Sequence, residues 1–117
     1  MLNTSFNRAG GPITITIVVG HNQMNVHRMF LWDANLANPE PIPRDAAENY
    51  QVGPAGSVDQ RVMSWEVRIA ASTPTTVEPY SVTVSGHQDG QTQQIDQLIG
   101  TMTLGVQVNG AARITLV

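Results

Sequence analysis

The segment Ile13–Asp33, ITITIVVGHNQMNVHRMFLWD, carries the strongest structural signal in the chain. Ile13, Ile15, Ile17 and Val19 place an apolar side chain at every second position. Successive side chains of a strand point to opposite faces, so this period of two marks a strand with one buried face. The chain then passes through Gly20-His21-Asn22-Gln23 and resumes as Met24–Trp32. A hairpin is the expected arrangement. Pairing Val19 with Met24 sets Ile17 opposite Val26, Ile15 opposite Arg28 and Ile13 opposite Phe30, closing with a two- or four-residue loop. A slip of one residue pairs Ile17 with His27 and Ile15 with Met29, and turns every partner to the other face. In both registers Met29 and Leu31 lie on one side of the second strand, with Phe30 and Trp32 on the other. That strand is apolar on both faces, and such strands are covered on both.

Outward from this segment, residues 1–12 form a polar arm ending in Gly10-Gly11-Pro12, with at most a short edge strand near Leu2–Phe6. Residues 34–59 form a long loop in which Pro39, Pro41 and Pro43 favour extended backbone outside a ladder. Within it, Asp45 and Glu48 have capping-box spacing, which predicts one helical turn near Asp45–Asn49, and residues 49–52 suit a short strand. A loop of this length in a small chain is usually functional or disordered.

Alternation returns at Gln60–Ser72, where Met63, Trp65, Val67, Ile69 and Ala71 share one face, and Thr73-Pro74 ends the run. Tyr80, Val82 and Val84 alternate with Ser81, Thr83 and Ser85, and Asp89-Gly90 is a turn dipeptide. In Gln91–Ile99 the spacing of Ile95, Leu98 and Ile99 fits a helical face while Ile95, Gln97 and Ile99 fit a strand, and of the two a loop or single helical turn is the expectation. The C-terminal run predicts a hairpin across a three-residue Val108-Asn109-Gly110 loop, pairing Val106 with Ala112, Leu104 with Ile114 and Met102 with Leu116.

Six clear strands and two short candidates, joined mostly by turns, predict an all-β fold. The expected form is an antiparallel β-sandwich of about six to eight strands, Ig-like or jelly-roll in style, with a small barrel as the alternative. At 117 residues one domain is expected. There is no cysteine, hence no disulfide framework and no thiol nucleophile. No apolar run reaches the roughly 18 residues of a membrane span, and the N-terminus lacks the basic head and apolar core of a signal peptide.

Charged residues make up 13% of the chain against about 25% in an average soluble domain, and this decides which partners fit. All six basic residues are Arg and the formal charge is −3. Nucleic acid and anionic membranes require clustered basic groups, so neither is an expected partner. A polar surface of low charge suits protein assembly or carbohydrate, because amides and hydroxyls cost less to desolvate than ions.

Catalytic constellations fail on geometry. His21 sits in a turn, and His27 several strand residues on, roughly 15 Å away at about 3.3 Å per residue, so they do not share a metal with His87. Ser85, His87 and Asp89 recur at i, i+2 and i+4, but side chains two apart on a strand stand nearly 7 Å apart, too far for a triad. No catalytic residue, metal or cofactor is expected. The expected role is a non-enzymatic structural module that forms a homo-oligomer or docks a protein partner through an apolar sheet face or edge. A lectin-like carbohydrate-binding module is the alternative, with a small hydrolase third. Met29, Leu31, Trp32, Asp33, Asn35 and Asn38 are the expected contact residues: an apolar strand running into carboxylate and amide groups.

Overall fold

The computed structural model describes residues 1–73 and 76–117. Pro74, expected to end the Gln60–Ser72 strand, lies outside them. The strands in chain order are β1 (Leu2–Phe6), β2 (Ile13–Val19), β3 (Met24–Trp32), β4 (Glu40–Pro41) and β5 (Tyr50–Gly53). After one 3-10 turn at Ala55–Ser57 come β6 (Val62–Ala70), β7 (Glu78–Gln88), β8 (Gln91–Met102) and β9 (Gly105–Leu116). One sheet has the order β1-β9-β6-β3-β4 and the other β5-β2-β7-β8. Among the described residues only β1 and β9 pair in parallel, and every other neighbouring pair is antiparallel. The fold is therefore a two-sheet all-β sandwich.

Alternation builds its core. Ile13, Ile15 and Ile17 of β2 are buried with Val82 and Val84 of β7, and across from them lie Met29 and Leu31 of β3, Met63, Trp65, Val67 and Ile69 of β6, and Ala112, Ile114 and Leu116 of β9. Each large apolar side chain removed from water in this way contributes about 1.5–3 kcal/mol.

The pairing departs from the simplest reading of the sequence in three places. The expected β2–β3 hairpin does not exist. β2 pairs with β7, setting Ile17 beside Val84, whereas β3 pairs with β6, setting Met29 beside Trp65. Gly20–Gln23 carries the chain from one sheet to the other, with His21 and Asn22 at φ 64° and 53° and the Gly20 N–H donating to the Ser81 carbonyl at 2.9 Å. Side by side in one sheet, the apolar faces of β2 and β3 would both still need a cover; in opposite sheets they cover each other.

Gln91–Ile99 is neither loop nor helical turn but part of β8, a 12-residue strand that joins β7 through Asp89-Gly90 at φ 51° and 75°. Its helical spacing has a different cause. Val84 pairs with Asp96 and Ser85 with Gln94, so Ile95 is the extra residue of a bulge. The bulge shifts the alternation by one, and Ile95 and Leu98, three apart, both pack against the core.

The C-terminal hairpin is also absent. Gly105–Leu116 is one unbroken strand, paired with β6 from Gly105 beside Ala70 to Arg113 beside Val62. Asn109-Gly110 lies in mid-strand because Gly110 is opposite Trp65. A Cβ at residue 110 would stand 2.5 Å from the indole Cε2 and Nε1. The glycine serves close packing, not a turn.

Three smaller corrections follow. Asp45–Asn49 is a tight turn, its Asp45 Oδ1 accepting from the Ala47 and Asn49 N–H groups, and Glu48 at φ 66° is incompatible with a helix. The 34–59 segment carries β4 and β5 and buries Ile42, Tyr50, Val52, Ala55 and Val58, so it forms a side wall of the core. With β1, β4 and β8 counted, the described residues form nine strands, one beyond the upper end of the about six to eight expected.

Gly110→Ala should destabilise the protein by about 1–3 kcal/mol in urea unfolding, because the buried indole has nowhere to yield. Gly56→Ala, where an added Cβ meets nothing within 4 Å, should be near neutral. Equal effects would remove the assigned role of Gly110.

Candidate functional site

Strand β3 is where the two sequence-level questions meet: which face is free, and what lies on it. Its odd-numbered residues face the other sheet. Met29 and Leu31, expected as contact residues, are 1% and 5% exposed and belong to the core. The outer face carries Met24, Val26, Arg28, Phe30 and Trp32, the opposite parity. The apolar side chains of β3 that the core does not use are thus Met24, Val26, Phe30 and Trp32, one residue along from the expected pair.

This outer face has two halves. In the first, Met24 and Val26 are 73% and 67% exposed. The backbone is open as well. β4 pairs only with Phe30 and Leu31, and the Ile42 N–H donates to the Met29 carbonyl at 2.9 Å. Because successive residues of a strand direct their backbone groups to alternate sides, the N–H and C=O of Asn25 and His27 point the same way as those of Met29. Among the described residues, no strand meets them there.

Other edges are guarded. β1 is five residues long, β4 two with Pro41, and β5 four, while β8 carries the bulge at Ile95 and the inward-turned Asp96. The Met24–Arg28 edge has no proline, no bulge and no inward charge. Three further exposed apolar residues, Val77, Ile99 and Leu104, lie toward the same end of the sandwich, where Met24 pairs with Ala70, Ala70 with Gly105 and Glu78 with Met102.

In the second half, Phe30 and Trp32 are partly buried. The Trp32 Nε1–H donates to Ser64 Oγ at 2.8 Å, which holds the indole over β6. The Arg28 guanidinium lies 5.3 Å from the Phe30 ring centroid, and its Nε–H donates to Glu66 Oε2. With Pro39, Asn109 and the backbone at Gly110 these residues line a depression of about 360 Å³.

Asp33, Asn35 and Asn38 do not join it as free ligands. The Asp33 carboxylate accepts from Asn38 Nδ2 at 2.8 Å and faces Arg61 at 3.9 Å, closing a small turn in which Leu36 and Asn38 have φ 61° and 51°. Asn35 is exposed on that turn. Of the six expected contact residues only Trp32 lines the depression. Arg28, Phe30, Ser64, Glu66 and Asn109 were not anticipated there. The first four were legible as the even-numbered faces of two amphipathic strands; Asn109 was hidden by its assignment to a turn.

Behind the open edge, His27 Nδ1 and Tyr50 Oη are 2.6 Å apart and share a hydrogen bond, with the Arg44 guanidinium 5.4 Å from the Tyr50 ring centroid. This cluster ties β3 in one sheet to β5 in the other. Burial, followed by the Arg44 charge, holds the His27 imidazole below its ordinary pKa, with Glu48 opposing; burial also pushes the Tyr50 phenol up. His87 instead bridges Thr16 Oγ1 and Thr92 Oγ1 at 2.9 and 3.0 Å, so its ring nitrogens are engaged by neither Ser85 nor Asp89. Asp89 accepts from the Gly11 N–H. Among the described residues no three His, Asp or Glu side chains are placed to hold one metal ion.

Because the folded state disfavours His27 protonation, it binds fewer protons than the unfolded chain just below the ordinary imidazole pKa of about 6.5. The neutral-form stability is present above that value and is lost as pH falls through the lowered one. Urea midpoints measured between pH 7.5 and 5 should fall in this window, and His27→Gln should flatten that fall. An unchanged slope in the variant would show that another group controls it. Comparison with protein-family models, curated proteins and solved structures found no match for this chain.

Proposed function

We propose that this protein is a non-enzymatic structural module that self-associates through the open edge of β3. The observation that carries the proposal is the Met24–Arg28 segment: backbone donors and acceptors without a strand neighbour among the described residues, flanked by exposed Met24 and Val26. A bare strand edge is a template for another strand, and natural edges usually carry a lysine, proline or bulge to prevent this. Here no lysine exists anywhere in the chain.

A second copy satisfies the edge symmetrically. Antiparallel pairing about a two-fold axis at Val26 sets each Asn25 against the partner copy's His27, and their outward backbone groups form the hydrogen-bonded pairs. Val26 then faces its own copy in the closely spaced, non-hydrogen-bonded position where side chains touch best. Met24 comes opposite Arg28, whose aliphatic stem can cover it. The two five-stranded sheets become one continuous sheet. The low charge of the chain favours this contact, since few ions need desolvating.

Light scattering across a concentration series should show a dimer that dissociates on dilution. Val26→Lys puts like charges opposite each other at the axis and should weaken the dimer at least tenfold, about 1.4 kcal/mol or more, with the unfolding midpoint of the monomer little changed. A strict monomer at every concentration would end this proposal.

A further inference from the structure

We infer that the depression over Phe30 and Trp32 is a binding site for a neutral glycan, a site that borders the open edge at Arg28 and does not require self-association. The structure brings together four features there. The first is aromatic surface: Trp32, held across β6 by its bond to Ser64, beside Phe30 and Pro39. The apolar C–H face of a pyranose ring packs on such surfaces while its hydroxyls seek polar partners at the rim. The second is a set of unused polar valences. Glu66 uses Oε2 for Arg28, and Asn109 uses Oδ1 to accept from Gln107. Glu66 Oε1, Asn109 Nδ2 and the terminal guanidinium nitrogens of Arg28 have no hydrogen-bond partner among the described residues. Each vicinal hydroxyl pair of a sugar both donates and accepts, and this rim offers a carboxylate oxygen, an amide N–H and guanidinium N–H groups within one depression.

Charge is the third feature. Arg28 and Glu66 neutralise each other at the rim, so the site presents no net charge to attract phosphate, nucleic acid or an acidic glycan. Size is the fourth. About 360 Å³ lies at the lower end of the range for small-molecule sites, which suits a terminal sugar or a disaccharide and not an extended chain. The site is largely formed already, because the Trp32–Ser64 and Arg28–Glu66 contacts fix two of its walls and reduce the ordering cost of binding.

Electrophoresis through native gels containing dextran, galactomannan, laminarin or xyloglucan tests this directly, with a sulfated dextran as the anionic control. Retardation by at least one neutral polysaccharide is expected, with at least a tenfold loss of affinity in Asn109→Ala and in Glu66→Gln. Both changes lie on the solvent face of their strands and leave the core intact. Trp32→Ala should abolish retardation, and a folded thermal transition in that variant shows that stacking and not folding was lost. Val26→Lys, directed at the other half of β3, should keep full affinity, so that failure of self-association and failure of the glycan site are told apart. The inference is overturned by the absence of retardation in every neutral gel, by retardation in sulfated dextran alone, by Asn109→Ala and Glu66→Gln binding like the parent, or by loss of binding in Val26→Lys.

Discussion

The indole of Trp65 lies where a side chain at residue 110 would have to be, and much of the sandwich depends on that contact. β6 is the strand between β3 and β9, so the position of its largest side chain sets both neighbours. With Gly110 beneath the indole, β9 can run straight past β6 for its whole length. Its C-terminal part then offers an edge to β1, which pairs in parallel from Leu2 beside Ala112 to Phe6 beside Leu116. Had residues 109 and 110 turned the chain instead, β6 would have lost most of one neighbour, and β1 its partner. The cost is visible in the same place: Trp65 Nε1 is buried without a hydrogen-bond partner among the described residues. Such an orphan costs on the order of 1–3 kcal/mol, and the surrounding apolar burial must outweigh it.

The same architecture explains why β3 is the strand with surface to spare. On its inner side Met29 and Leu31 complete the core, and on one edge β6 pairs with all nine residues. Among the described residues, the other edge receives the short β4, and the Asp33–Asn38 turn and Tyr50 lie beside the strand. The outer residues accordingly fall into an exposed apolar half and a half-covered aromatic half. Two distinct binding modes are proposed for these halves: main-chain pairing, which is indifferent to side-chain chemistry, and stacking with polar rim contacts, which depends on it. The His27–Tyr50 bond lies behind the first, so the geometry of the open edge depends on a side chain that prefers to stay neutral.

Much of this was legible from the letters, and the limits have physical causes. The inward sets Ile13-Ile15-Ile17, Met63-Trp65-Val67-Ile69 and Val82-Val84 are buried as their period of two required. The Asp89-Gly90 turn also follows from residue type, since both residues take positive φ. Ile95 and Leu98 misled because a bulge in a strand imitates helical spacing. Asn109-Gly110 misled because glycine serves close packing as readily as it serves turns. Met29 and Leu31 turn inward, which the sequence left open, since alternation on a strand apolar on both faces identifies two faces without saying which is inside.

Alternation and turn chemistry thus determined, from the sequence alone, that the chain is all-β, where most strands run, and which side chains of each clean amphipathic strand share a face. Those are local properties, set by the geometry of consecutive residues. The tertiary structure alone decided which strand lies beside which, that β2 and β3 face each other across the core, and that the outer parity of β3 remains open. Backbone hydrogen bonds are the same for every residue type except proline, so a strand carries little mark of its neighbour. That choice belongs to long-range packing, and here it turns on an indole above a glycine and two apolar faces that cover each other.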